Sequence, residues 1–126
     1  MSFCTAVNCM DGRVQKPVMR FLRTRFGAKF TDMITEPGPN RLIAEQVTTG
    51  QVESILARID FSVEKHGSKG IAVVGHHDCV GNPADEDVQT DHLERSVRFL
   101  RDRYPGVEVI ALWVDHRWDV NEIKVT

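Results

Sequence analysis

Few of these residues are available for disulfides, membranes or nucleic acid. Only three cysteines occur among 126 residues, an odd number that argues against a disulfide framework. No Cys-x-x-Cys pair exists, so thioredoxin-type redox chemistry is not expected. A cysteine-based phosphatase loop is excluded as well. The position that would carry its arginine after Cys9 is Gln15, and Arg13 comes too early. No apolar run approaches the ~20 residues needed to cross a bilayer. The opening Met1-Ser-Phe-Cys is not a basic-then-apolar signal peptide, and a cytoplasmic location is expected. A net charge of −2 provides no electrostatic case for nucleic acid. No repeat, low-complexity tract or linker interrupts the chain, so residues 1–126 are expected to form one domain. What is there suits that: 41% hydrophobic and 27% charged residues are ordinary for a soluble protein with a real core.

Apolar periodicity alternates between strand and helix. Phe3 to Cys9 reads as a first strand. A helix is expected near Pro17, with Val18, Phe21, Leu22 and Phe26 at helical spacing and Gly27 as its stop. Arg20, Arg23 and Arg25 fall mostly off that set, as a solvated face. Phe30 to Thr35 reads as the second strand, and Glu36-Pro-Gly-Pro-Asn40 as a break. Asn40 is expected to cap a short helix, Arg41 to Gln46. A longer helix is expected from near Thr49, with Val52, Ile55, Leu56, Ile59 and Val63 as its stripe and Gly67 at its end. Ile71 to Gly75 reads as a buried third strand. Val80 to Asp87 reads as an acidic loop, followed by a helix from Asp91, with Glu94 completing a capping pair, to Tyr104. Val107 to Val114 is the fourth strand, Asp115 to Asp119 a turn, and Val120 to Val125 an edge strand. The alternation predicts an α/β fold: three layers, Rossmann-like, with a mainly parallel sheet of four to five strands flanked by helices and joined by right-handed crossovers.

Two strand ends carry the chemistry. Ile71-Ala-Val-Val-Gly-His76-His77-Asp78-Cys79 places an imidazole and a thiol three residues apart as the chain leaves a strand, a ligand set that suits zinc. A third ligand is needed, and the first strand also ends on a cysteine, Cys9. In open α/β sheets, sites form at the carboxyl ends of strands where the strand order reverses. Cys4, mid-strand, is expected to be a small buried residue. His77 is the alternative imidazole to His76. Asp78 is expected to cap the loop through backbone amides. His66, His92 and His116 lack ligand spacing and are expected at the surface.

Cys9-Met-Asp11-Gly-Arg13 resembles the Cys-x-Asp-x-Arg motif of the β-class carbonic anhydrases, and Gly75-His76-His-Asp-Cys79 resembles their Gly-His-x-x-Cys motif. The resemblance extends from about Phe3 to about Leu112 and implies a minimal, divergent member of that family. It implies that Cys9, His76 and Cys79 hold Zn2+ and leave one position open. It implies that Asp11, paired with Arg13, orients the nucleophile or, released, closes the site as a fourth ligand. Its pattern puts the imidazole ligand directly after the glycine, which favours His76 over His77. The implied reaction is reversible hydration of CO2 to bicarbonate by zinc-bound hydroxide, in a homodimer with no nucleic acid or membrane partner. The alternatives are hydrolysis of carbonyl sulfide or carbon disulfide, or a non-catalytic zinc-binding protein. The pattern departs from the family at several points. Only Met1 and Ser2 precede the first strand, where members usually carry helices that wrap a partner. The substrate-binding glutamine before the first motif has no counterpart. Glu36-Pro-Gly38-Pro stands where Arg-Asn-Ala-Gly is usual, and Val80 where a glycine follows the cysteine. Phe61 falls near a position that is often aromatic and is expected to keep one pocket wall.

Overall fold

The structure, a computed structural model, describes residues 2–47 and 50–126. Five strands form one sheet: β1 (Phe3–Cys9), β2 (Phe30–Glu36), β3 (Gly70–His76), β4 (Glu108–Val114) and β5 (Val120–Ile123). Four α-helices accompany them: α1 (Gln15–Arg25), α2 (Pro39–Ala44), α3 (Gln51–Lys65) and α4 (Glu86–Arg103). The strand order is β2-β1-β3-β4-β5. All pairs are parallel except β4–β5, which is antiparallel. The expected α/β architecture is therefore present, with five strands.

Every residue of β3 is buried, as a central parallel strand with both faces covered requires. β5, with four residues, forms one margin and carries Glu122 outward, which suits an edge that must not recruit another strand. Side chains alternate across the sheet and separate two cores. Val7, Ile71, Val73, Val109 and Ala111 face α2, α3 and α4, where Ile55, Ile59, Leu93, Val97 and Leu100 pack. Ala6, Ala72, Val74, Ile110 and Leu112 face the other way, onto Val14, Val18 and Leu22 beside α1. Cys4 is fully buried there, as expected.

Local chemistry explains most element ends. Pro17 lies in the first turn of α1, where its missing N–H is not needed. Gly27 follows α1 at φ 62 and Gly67 follows α3 at φ 63, the left-handed conformation that ends helices. Two helix starts differ from expectation. Helix α4 starts at Glu86, not Asp91: Asp85 accepts from the Val88 N–H at 3.0 Å and is the true cap, while Asp91 pairs one turn on with Arg95. The acidic Glu86 and Asp87 that read as loop instead meet the positive end of the helix dipole. Helix α2 starts at Pro39 behind Gly38, so Asn40 lies inside it, buried, and is not its cap. The expected start near Thr49 lies outside the described residues. Arg25 is also more than a solvated charge, since its guanidinium donates to Glu122 on β5 and Glu108 on β4, each at 2.7 Å.

Leu93→Ala, a truncation at a fully buried position, is expected to cost about 2–5 kcal/mol. Arg25→Ala, which removes half-exposed ion pairs, is expected to cost no more than about 1 kcal/mol. Urea titration with an unchanged slope checks both.

Candidate metal centre

β1 and β2 run to one side of the sheet and β3 and β4 to the other, so the strand order reverses between β1 and β3. Cys9 and His76 close those two strands. Cys79 follows through Asp78, whose φ of 59 turns the chain sharply; Asp tolerates that conformation better than most residues. The donor atoms of Cys9, His76 and Cys79 lie within 4.8 Å of one another, and all three residues are buried.

The spacing fits ligands of one ion. Cys9 Sγ and Cys79 Sγ are 3.8 Å apart, too far for a disulfide at about 2.0 Å and close to the roughly 3.8 Å that separates two sulfurs each about 2.3 Å from a tetrahedral zinc. The imidazole is aimed to match. His76 Nδ1 lies 2.7 Å from the His77 carbonyl, which can only accept, so Nδ1 carries a proton and Nε2 is the nitrogen left to bind a cation. Nε2 is buried and without a hydrogen-bond partner, a state that costs about 1–3 kcal/mol unless something else satisfies it. Two thiols and one imidazole are a donor set for a thiophilic, zinc-like cation.

The electrostatics show that the three side chains are coupled through their protons. The Cys79 thiol donates to Cys9 and holds the Cys9 pKa well below the usual thiol range; His76 and the backbone amides of Gly38 and Asp11 add to this against the effect of burial. Cys79 moves the opposite way, because the hydrogen bond it gives the Cys9 thiolate, burial and the charge on Cys9 all hold its own proton in place. Burial pushes the His76 imidazole down, but the Cys9 thiolate, the His77 carbonyl and Asp11 together raise it above its ordinary value. A cation taken up here displaces the shared proton.

Asp11 and Arg13 come together as expected. Arg13 Nη2 donates to Asp11 Oδ2 at 2.7 Å and Nε to Oδ1 at 3.1 Å, and the Arg13 backbone N–H donates to Oδ1 at 2.9 Å. Chiefly through the Arg13 side chain, the Asp11 pKa is lowered to about 2. Asp78 has a different task from the one expected. Its carboxylate accepts from Arg13 Nη1 at 3.2 Å and its carbonyl from Nη2 at 3.1 Å, so it anchors the guanidinium across the two motifs. His77 is exposed and stands 6.2 Å from His116 across an open cavity of about 640 Å³ that also touches Cys79, Val80 and Trp113. His66 and His116 are at the surface as expected, but His92 is buried and accepts from Asn82 Nδ2 at 3.0 Å. Phe61 stands exposed on α3.

Several residues of the site carried no motif. The Trp118 ring lies 4.5 Å from the Arg13 guanidinium and 6.5 Å from the His76 ring, and Gln15 Nε2 donates to the Cys9 carbonyl at 2.7 Å. Neither had a sequence signal, because both act across the fold or through backbone atoms. Gln89 did have one: it lies on the same helical stripe as Leu93, Val97 and Leu100, a polar residue where an apolar one is expected.

A family model described as "Putative carbonic anhydrase" matches residues 1–124. The chain belongs to this carbonic anhydrase family. Its fold is that of β-carbonic anhydrases of known structure. One, from the filamentous ascomycete Sordaria macrospora and described as tetrameric, is 15% identical over 95% of this chain and 79% of its own, with a TM-score of 0.63. Another, CafA from the fungal pathogen Aspergillus fumigatus, is 16% identical over 96% of this chain and 74% of its own, with a TM-score of 0.57. No curated protein matches the sequence. This carbonic anhydrase relative is a divergent one, and the divergence has a structural counterpart at the end of β2. Glu36 stands there and is ion-paired with Arg58 of α3, so a guanidinium reaches this strand end from another element. Among the described residues no helix is long and apolar enough to cross a membrane.

One equivalent of a thiophilic divalent cation is expected to bind and to raise the unfolding temperature. Cys79→Ala and His76→Ala are each expected to abolish stoichiometric uptake, and Cys4→Ala to leave it intact. Metal analysis after gel filtration, with thermal scans, checks this.

Proposed function

We propose that this protein is a zinc enzyme that interconverts CO2 and bicarbonate, with Cys9, His76 and Cys79 as its metal ligands. One observation carries the reading: a buried, unpartnered His76 Nε2 shares its space with two free thiols whose sulfurs are 3.8 Å apart. Zinc, when bound with one position open, acts as a Lewis acid that lowers the pKa of water to about 7.

The chain's own residues do the rest. Two thiolates, Cys9 and Cys79, and a neutral imidazole, His76, would hold a divalent ion with no net charge left over. The His77 carbonyl fixes the tautomer of His76, so that Nε2 is always the ligand atom. Asp11 is ionised throughout the physiological range, and its carboxylate accepts a hydrogen bond from the attacking oxygen, which leaves the oxygen's remaining lone pair directed at the carbon. Arg13 grips that carboxylate with two nitrogens, a geometry only a guanidinium provides. Asp78 and Trp118 in turn hold Arg13. The grip of Arg13 on Asp11 supports the orienting role for this carboxylate over the role of fourth ligand.

The working unit we propose is a cytoplasmic homodimer. Met10 and Val80, which directly follow the two cysteines, are 62% and 93% exposed, an apolar rim that a second subunit would cover. A monomer at micromolar concentration in light scattering would count against it.

Stopped-flow CO2 hydration on zinc-loaded protein tests the reaction. Asp11→Ala is expected to lose about a hundredfold or more in kcat/KM while zinc stays bound. No rate above buffer from neutral to alkaline pH would reject the hydratase reading, and turnover of carbonyl sulfide alone would reassign the substrate.

A further inference from the structure

β3 keeps its ladder with β4 through the pair His76↔Val114. Its ladder with β1 runs only from Thr5↔Ile71 to Val7↔Val73. The two strands therefore part before their ends, and the crevice that opens receives the candidate metal centre. The parting has a cost. The His76 N–H and carbonyl point toward the departed strand and need partners, because they are buried.

One side chain replaces the missing strand. Gln89 is fully buried on α4. Its Oε1 accepts from the His76 N–H at 3.3 Å and its Nε2 donates to the His76 carbonyl at 2.9 Å. An amide side chain has a peptide's donor and acceptor, so it can satisfy both groups as a neighbouring strand would. The same Nε2 also donates to the carbonyls of Asn82 at 3.1 Å and Ala84 at 3.2 Å. The clamp thus holds the chain on both sides of Cys79: at His76 before it and at residues 82–84 after it. Gln89 is itself held, because Asn40 Nδ2 donates to its Oε1 at 3.2 Å. Asn82 Nδ2 donates to Asn40 Oδ1 at 3.2 Å and to His92 Nδ1 at 3.0 Å. Gly75 makes room for this: a Cβ there would lie 2.8 Å from Asn40 Nδ2 and 2.9 Å from Gln89 Oε1.

We propose that Gln89 is the positioning residue of the metal centre, a buried amide that sets the His76 main chain and the loop after Cys79 so that both donor atoms reach one cation. The inference rests on the metal-binding reading of the cluster and adds a residue that touches neither ion nor substrate. Gln89→Glu is the informative change, since it keeps size and shape and the ability to accept but removes the donor to three carbonyls. Gln89→Met removes both functions at similar volume. Asn40→Ser, a milder change, loosens Gln89 without replacing it. Ser62→Ala, in the hydrogen-bonded cluster of Thr5 and Ser68, is the control for a purely structural loss.

Zinc affinity is measured by competition with a chromogenic chelator. The cobalt(II)-loaded proteins are compared by their absorption spectra, which report thiolate ligation and tetrahedral geometry. Gln89→Glu and Gln89→Met are expected to bind zinc roughly 10–100-fold more weakly and to give weakened or shifted thiolate-to-cobalt bands. Asn40→Ser is expected to fall between them and wild type. Ser62→Ala is expected to lower the unfolding temperature with affinity and spectrum unchanged. If a Gln89 variant does not fold, Asn40→Ser decides. Folded variants with wild-type affinity and spectrum would overturn the inference, whatever their melting temperature. Wild-type protein that binds neither zinc nor cobalt would overturn the metal-centre reading itself, and the two failures are separate measurements.

Discussion

Two parallel strands that start side by side and then separate make this site possible. While β1 and β3 are paired they carry their ends to the same edge of the sheet, which brings Cys9 to His76 across some seventy residues of sequence. Where they part, backbone groups are left without a ladder and a crevice appears. Open α/β sheets form sites at this kind of reversal. Here the crevice is narrow enough that donor atoms from three residues meet within 4.8 Å.

The concentration of polar groups there has a structural logic. A core of Val, Ile and Leu could not accept the orphaned amides of a strand end, so Asn40, Asn82, Gln89, His92 and Ser96 are buried together behind the centre. Most of their polar atoms find partners within the group or on nearby backbone. A buried network of this kind is tolerable when its groups are satisfied, and it then specifies one arrangement of the backbone. His76 Nε2 stands apart as a buried atom without a hydrogen-bond partner.

Charge is organised around the same point. The cysteine pair shares a proton, one thiol lowered and the other raised. Arg13, the cation nearest to them in sequence, is tied to Asp11 and Asp78 and stacked on Trp118. Arg13 thus joins the loop after β1 to the loop after β3 from the solvent side, while the Gln89 amide joins β3 to its loop from the protein side.

The amino-acid sequence by itself determined the alternation of strands and helices and the mainly parallel character of the sheet, which are legible because they rest on nearest-neighbour chemistry: apolar periodicity, glycine at a helix end, polar residues directly after a strand. That Cys9, Asp11, Arg13, His76 and Cys79 belong to one constellation was legible through the resemblance of two short motifs to those of a known family. Tertiary structure decided the rest. Helix α4 begins five residues earlier than its apolar pattern alone implies, because its first turn is fixed by Asp85 and by Gln89, which is buried for its hydrogen bonds rather than for its apolarity. Asn40 looked like a cap, and His92 like a surface imidazole; both are interior, because their partners lie 42 and 10 residues away. Asp78 turned from a loop cap into an anchor for Arg13. A hydrogen bond between groups distant in sequence leaves no periodic trace, so only the folded chain could disclose it.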